Sequence, residues 1–324
     1  MKALITGGSG FLGTYLSRYL QQQGAEVTVT DRSPLEDTSI TKWGGGVRYR
    51  PLDVCDPLAV ARTIAEVRPD VVYHFAGQAY VIPSWNDPAG TFVTNLMGTL
   101  HILEAIRHSR PSIRFAFAGS GTEYGDPEQI PTPEEAPLKP TSPYASSKAA
   151  ADLLCYQYFR SFEIPVFRFR IFGTTGPGKR GDSVNDFASQ IAALEVSDSP
   201  RVLRVGNLDK ARDVTDVRDA VRAMAMVTER GEPGQAFNIG SGIPRKVRAT
   251  LEILLGLAKA PIETAIDPSR VRLVDEPVHL ADVSRISSLG WSPAISFEQT
   301  LLDTLTAWRE LRARDQASGT AAQG

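Results

Sequence analysis

Cysteine, histidine and net charge are scarce in this 324-residue sequence. Cys55 and Cys155, its two cysteines, are far apart and form no Cys-x-x-Cys. That excludes a disulfide scaffold and leads us to expect a reduced, cytoplasmic protein. His74, His101, His108 and His279 show no metal-ligand spacing, so no metal is expected. The formal net charge of −2 offers no electrostatic footprint for nucleic acid or an acidic membrane surface. No apolar run approaches the ~20 residues of a membrane span. The chain passes from Met1-Lys2 straight into a strand pattern, leaving no room for a signal peptide. Repeats and low-complexity tracts are also lacking. What remains, at 42% hydrophobic content, is a globular protein long enough for two domains or for one domain with an appendage.

The opening residues carry the first positive signal. Lys2–Thr6 reads as a buried strand and Thr14–Gln23 as an amphipathic helix, with Gly7-Gly8-Ser9-Gly10-Phe11-Leu12-Gly13 between them. Glycines at 7, 10 and 13 let a backbone turn tightly and approach a pyrophosphate, whose charge then lies on the helix N-terminus. Asp31, closing the next strand, Glu26–Thr30, is placed to bond the 2′-hydroxyl of NAD and to repel a 2′-phosphate. Arg32 beside it would soften that repulsion. NAD(H) is therefore the expected cofactor, with NADP(H) accepted. Phe11 and Leu12 in the loop, Asp53-Val54 at the end of the third strand, and Ala76-Gly77 after the fourth complete the expected cofactor contacts. Asp56, before Pro57, is equally well placed as a helix cap.

Strands and helices then alternate: Val47–Leu52, Pro57–Val67, Val71–Phe75, Thr91–Arg107, Arg114–Ala118, Ser142–Phe159 and Val166–Ile171. Such alternation predicts an α/β fold, a Rossmann-type doubly wound parallel sheet with helices on both faces. After Phe172 the texture changes. Helices are expected at Asp182–Leu194, Asp213–Thr228 (capped by Asp213 or Thr215), Val247–Ala258 and Ser296–Arg312, and strands at Arg201–Gly206 and Ala236–Ile239. We expect a dinucleotide-binding domain over 1–172, to which 213–240 returns. A smaller interleaved substrate-binding domain spans 173–212 and 241–314, and 315–324 form a frayed tail.

Tyr144 and Lys148, four apart in Thr141-Ser-Pro-Tyr-Ala-Ser-Ser-Lys148, share a face on a helix starting near Pro143. An ammonium beside a phenol favours phenolate, lowering its pKa toward the working range, and such a tyrosine can exchange a proton with a sugar oxygen. The spacing alone is weak. With the glycine loop, Asp31 and Ser120 in the same chain, the sequence resembles the extended short-chain dehydrogenase/reductases (the NAD-dependent epimerase/dehydratase family) over nearly its full length. The resemblance implies that Ser120 bonds the reacting oxygen, Tyr144 is the acid/base, and Lys148 holds the nicotinamide ribose and biases Tyr144.

Gly206-Asn-Leu-Asp-Lys-Ala-Arg212-Asp213, Gly77-Gln-Ala-Tyr-Val81, Asn95-Leu-Met-Gly-Thr99 and Arg270-Val-Arg272 resemble the branch acting on GDP-mannose derivatives, most of all its GDP-4-keto-6-deoxy-D-mannose reductases. That likeness implies a nucleotide-sugar substrate touched by Gln78, Tyr80, Asn95, Thr122, Gly173, Arg212 and Arg272, the arginines meeting a diphosphate. Arg212 and Arg272 could instead be surface arginines paired with Asp213 and Asp275. It also implies NAD(P)H-dependent reduction of a C4 keto group, and a homodimer through a four-helix contact. Leu100, Leu103, Leu153, Leu154 and Tyr158 would supply more than one apolar face to those helices. A 4-epimerase, a 4,6-dehydratase and a non-catalytic dinucleotide sensor are the rivals. Two departures stand out. Relatives commonly read Phe-Asn-His-x-Gly-Pro where this chain reads Phe172-Gly-Thr-Thr-Gly-Pro177, losing a carboxamide contact. The glutamate base of dehydratases is replaced by Thr122, and the adjacent Glu123 is expected to look away from the sugar.

Overall fold

The computed structural model describes residues 1–33, 47–197, 200–270 and 279–317. Its centre is a seven-stranded sheet. The strands are β1 (Lys2–Thr6), β2 (Glu26–Asp31), β3 (Arg48–Pro51), β4 (Val71–His74), β5 (Arg114–Ser120), β6 (Val166–Ile171) and β10 (Ala236–Ile239), in the order β10-β6-β5-β4-β1-β2-β3. Every adjacent pair is parallel. The inner strands are near-continuous apolar runs because both faces are covered. On one face, α1 (Phe11–Gln22) and α8 (Val217–Arg230) bury Leu16, Leu20, Val221 and Met224 against Ile5, Val29 and Phe169. A short helix, α10 (Ser284–Ser288), adds Ile286 to the same layer. On the other face, α2 (Pro57–Val67), α5 (Gly98–Ser109) and α6 (Pro143–Phe162) bury Ile64, Ile106 and Cys155 against Leu4, Val72 and Phe117. Asp56 caps α2, accepting from Leu58 N and Ala59 N.

The second half builds a separate core. α7 (Ser183–Glu195), α9 (Val247–Gly256) and α11 (Phe297–Ala317) pack Phe187, Ile191, Leu254 and Leu301 around Leu203 and Val205 of β8 (Val202–Val205). β8 pairs with β12 (Glu263–Ile266), and β7 (Gly173–Thr175), β9 (Ala211–Asp216) and β11 (Pro244–Lys246) form a three-stranded sheet in the order β11-β9-β7. The helix α11 continues through Ala317, past the expected start of the tail, and 318–324 lie outside the described residues.

Two expectations fail here. The helix expected from Asp213 starts at Val217 and is capped by Asp216, whose carboxylate accepts from Arg218 N at 2.8 Å. Ala211–Asp216 is a strand, and Asp213 and Thr215 lie inside it. Its pattern is polar, and the buried Asp213 is satisfied there by accepting from Ser241 N, Gly242 N and Ala281 N. The long helix expected at Thr91 begins earlier, as α4 (Pro88–Phe92) with Asp87 for its cap, and passes through a π-helical turn at Val93–Met97 before α5. A short preceding helix, α3 (Val81–Asn86), and the strands β7, β11 and β12 carry too little apolar periodicity to be read in advance.

Candidate active site

The carboxyl ends of β1, β4 and β5 meet at one edge of the sheet. Gly7 turns the chain out of β1 at φ +64°, and a Cβ there would lie 2.6 Å from Ala76 N. A Cβ on Gly13 would lie 2.5 Å from Gly8 Cα. The first turn of α1 therefore seats directly on the glycine loop. Gly10 is its N-cap and offers no side-chain hydrogen bond, which leaves the first-turn amides to a ligand's phosphates. This cradle, which side chains would fill, fits the pyrophosphate of a dinucleotide. Asp31 stands at the end of β2, accepting from the Ser9 hydroxyl and from Arg32 N at 2.7 Å. Ser9, missed in the sequence reading, was legible as the one hydroxyl within the glycine loop. Arg32 is exposed. Asp53 is exposed too, its carboxylate closing a turn on Cys55 N at 2.9 Å, whereas the Val54 side chain is buried against Gly98. Replacing Asp31 by Ala is expected to raise kcat/KM for NADPH relative to NADH by ~10-fold, since one charge repulsion and one hydrogen bond change sides. An unchanged ratio of the two would remove Asp31 from cofactor choice.

Ser120 ends β5 and is itself the N-cap of a 3₁₀ turn, Gly121–Tyr124. Its hydroxyl accepts from Thr122 N at 3.2 Å, shares a proton with Thr122 Oγ1 at 2.9 Å, and hydrogen-bonds the Tyr144 phenol. Tyr144 enters on the first turn of α6, where Pro143 presets the helix and Ser142 caps it through Ala145 N at 3.2 Å. Its backbone is pinned by Ser84 Oγ, 3.1 Å from Tyr144 N. One turn on, Lys148 is buried, donates to Ala118 O at 2.8 Å, and lies 5.2 Å from the centre of the Phe117 ring. A Cβ on Gly77 would come within 3.5 Å of its ammonium. The structure thus brings Ser120, Thr122, Tyr144, Lys148 and Gly77 together.

The electrostatics differ from the sequence expectation in one respect. Burial pushes the Tyr144 phenol up to about 12; the Ser120 hydrogen bond opposes this and the Glu123 carboxylate adds to it. The lysine does not lower it, because the ammonium is turned onto the Ala118 carbonyl. Lys148 is itself lowered to about 8 by burial, with Glu123 opposing. A phenol that keeps its proton suits a proton donor.

The expected substrate contacts divide. Thr122 is at the site. Asn95 is buried and its carboxamide is engaged within the protein: it accepts from Gln78 N at 2.8 Å and donates to Gln78 O at 3.1 Å and Ser147 Oγ at 2.9 Å. It ties the turn after β4 to α6. The Gln78 side chain folds onto its own turn through Tyr80 O at 2.7 Å, and Tyr80 is exposed. Gly173 is a packing glycine, since a Cβ would strike Asp213 O at 2.3 Å. Arg212 sits on β9 opposite Arg245 of β11, while the Asp213 carboxylate turns the other way, to Ser241. Arg270 pairs with Asp186 at 2.7 Å, and Arg272 and Asp275 lie outside the described residues. His74, bonded to Thr6 and Thr99, is held neutral by burial and lowered to about 3. No metal-binding group of side chains occurs among the described residues.

A glycine cradle on a doubly wound parallel sheet, with serine, tyrosine and lysine converging beside it, defines an NAD(P)-dependent oxidoreductase of the extended short-chain dehydrogenase/reductase class. The family model for GDP-mannose 4,6-dehydratase matches residues 4–304, and the chain belongs to that family. It is 32% identical to the GDP-6-deoxy-D-mannose reductase of Pseudomonas aeruginosa, over 97% of this chain and 99% of that one. It is 29% identical to dTDP-glucose 4,6-dehydratase 1 of Escherichia coli K12, over 94% and 92% of the two chains. Among solved structures, RMD from Pseudomonas aeruginosa complexed with NADPH superposes with a TM-score of 0.81 at 30% identity, covering 96% and 99%. The UDP-glucose 4-epimerase of Thermus thermophilus in complex with NAD gives 0.84 at 29% identity, covering 95% and 99%.

Proposed function

We propose that this chain reduces the C4 keto group of a nucleotide-linked 4-keto-6-deoxy sugar, with GDP-4-keto-6-deoxy-D-mannose as substrate and GDP-D-rhamnose as product. The reading rests on one observation above the others. Glu123, the carboxylate of the Ser120–Tyr124 turn, is fully buried and bonded to Ser120 N at 2.7 Å, so a threonine occupies the position a dehydratase needs for its base. A threonine hydroxyl does not take a proton from carbon near neutral pH. The similarity to a GDP-6-deoxy-D-mannose reductase supports the same reading.

Gly7, Gly10 and Gly13 would cradle the cofactor's pyrophosphate, Asp31 its ribose, and Lys148 the nicotinamide ribose. The bound dinucleotide supplies hydride. Ser120 donates a hydrogen bond to the substrate carbonyl and so draws charge onto its oxygen. Tyr144 then gives that oxygen its proton. Arg212 would meet the diphosphate through its planar fork of donors. The free thiols Cys55 and Cys155 fit a reducing cytoplasm. No helix among the described residues is long and apolar enough to cross a membrane.

With purified enzyme, NADH or NADPH is expected to be consumed one for one with keto-sugar, and GDP-mannose alone is expected to give no 4-keto product. A 4-keto product from GDP-mannose, abolished by Glu123→Gln, would instead make the chain a dehydratase. Interconversion of C4 epimers without net cofactor loss would make it an epimerase.

The proposed assembly is a dimer. Of the apolar residues expected to supply more than one face, Leu103 and Tyr158 belong to the core and Leu153 is exposed, together with Val93, Met97 and Tyr156 on the neighbouring helices. Burying them against a second copy would form the four-helix contact. Sedimentation at micromolar concentration is expected to show a dimer, and Leu153→Glu a monomer. A monomeric wild type would refute it.

A further inference from the structure

The turn that carries Ser120 contains a carboxyl group its local geometry does not require. Ser120 and Glu123 form a capping box, the serine side chain accepting from the turn and the glutamate Oε1 accepting from Ser120 N at 2.7 Å. Glutamine performs that exchange equally well and needs no counter-ion. Here the carboxylate is 0% exposed, and its second oxygen has no hydrogen-bond partner. Burying such a group is costly unless its charge is matched. Three elements are arranged around it. From β6, Arg170 brings its Nε to 3.6 Å of the unpartnered oxygen. From α6 it is faced by Lys148, Asp152 and the Tyr144 phenol. From β5, Gly119 leaves the space, since a Cβ there would lie 2.5 Å from Glu123 Oε1. Arg170 is in turn fixed by Asp152 through two contacts of 3.3 Å, by Tyr124 Oη at 3.0 Å and by Glu134 O at 2.7 Å.

We infer that Glu123 is a positioning residue: it clamps the Ser120 amide so that the serine hydroxyl is presented to the reacting carbonyl, and in its ionised form it stands against Tyr144 and Lys148. Burial, with Asp152 beside it, raises the Glu123 carboxyl to about 8, so that charge is present on the alkaline side. The inference deepens the proposed reductase and rests on that reading only through the roles of Ser120 and Tyr144. Its two parts separate chemically. Replacing Glu123 by Gln keeps an oxygen for the Ser120 amide and removes the charge. Replacing it by Ala removes both.

In Glu123→Gln, KM for keto-sugar and the Kd for NADH are expected to stay within about threefold of wild type, while the alkaline limb of kcat moves down by about half a pH unit or more, a loss of roughly three- to tenfold on that limb alone. In Glu123→Ala, kcat is expected to fall ~10–100-fold across the whole pH range, as the serine hydroxyl leaves its alignment. A wild-type pH profile in Glu123→Gln would overturn the electrostatic part. Wild-type kcat in Glu123→Ala would overturn the clamp. A pH-independent loss in Glu123→Gln that only follows a lowered thermal midpoint would reduce the residue to a structural one. The titration of the Tyr144 phenol, read as the ultraviolet tyrosinate difference against Tyr144→Phe, gives an activity-free check. It should move to lower pH in Glu123→Gln whichever sugar is the substrate. A wild type inert toward keto-sugar with that shift intact would fault the proposed reaction and not the role of Glu123, and no shift would fault the role itself.

Discussion

Tyr144→Phe is expected to lower kcat for keto-sugar reduction by ~10²–10⁴-fold, the usual worth of a positioned proton donor. The Kd for NADH should scarcely change. The phenyl ring keeps its place, Ser84 still holds the residue's backbone amide, and Ser142 still caps α6. Stopped-flow mixing of the variant with cofactor and then with sugar would separate the two effects. Near-normal turnover would take the acid role away from Tyr144. The wild-type pH profile carries a matching sign. Reduction needs a protonated phenol and a charged Lys148. Lys148 is lowered to about 8 by burial, so activity should hold below that pH and decline as the ammonium is lost above it.

Arg170→Met is expected to destabilise the fold by about 3–5 kcal/mol, because it removes one partner from a buried ionic cluster and leaves carboxylates behind. Asp152 retains Arg168 at 2.6 Å, but Glu123 loses the guanidinium that faces its second oxygen. Tyr124 and the Glu134 carbonyl lose a donor as well. The measurement is urea unfolding of the apo-protein, with cofactor affinity checked on the folded fraction. Arg170→Lys should recover only part of the loss, since an ammonium cannot reach these acceptors with one planar fork. A cost below about 1 kcal/mol would mean that the cluster reorganises around the gap.

The residues that could be read in advance act locally. A glycine where φ is positive, an aspartate closing a strand, a proline opening a helix and two polar residues four apart on it each follow from backbone geometry over a few positions. So does the alternation of apolar strands with amphipathic helices. Those features are enough for the parallel sheet, the dinucleotide cradle at Gly7–Gly13 and the pairing of Tyr144 with Lys148. For Glu123 the expectation assumed an extended segment, whereas the segment is a 3₁₀ turn and the carboxyl is buried through its bond to Ser120 N.

What the tertiary structure decided were the fates of polar groups whose partners lie far along the chain. Asp213 and Thr215 look like helix caps in sequence; they lie in a strand, where Asp213 finds its partners at Ser241, Gly242 and Ala281. Asn95 has the chemistry of a sugar ligand, but Gln78 and Ser147 occupy its carboxamide. Arg168 and Arg170 interrupt an apolar strand and are accommodated there because α6 brings Asp152 across from them. For Tyr144, the lysine one turn away suggested a lowered pKa, and burial raises it instead. Local spacing sets which groups can be neighbours. Only the folded chain sets how much water each group loses and which distant partner replaces it, and those two quantities determine whether a side chain is a ligand, a cap or an acid.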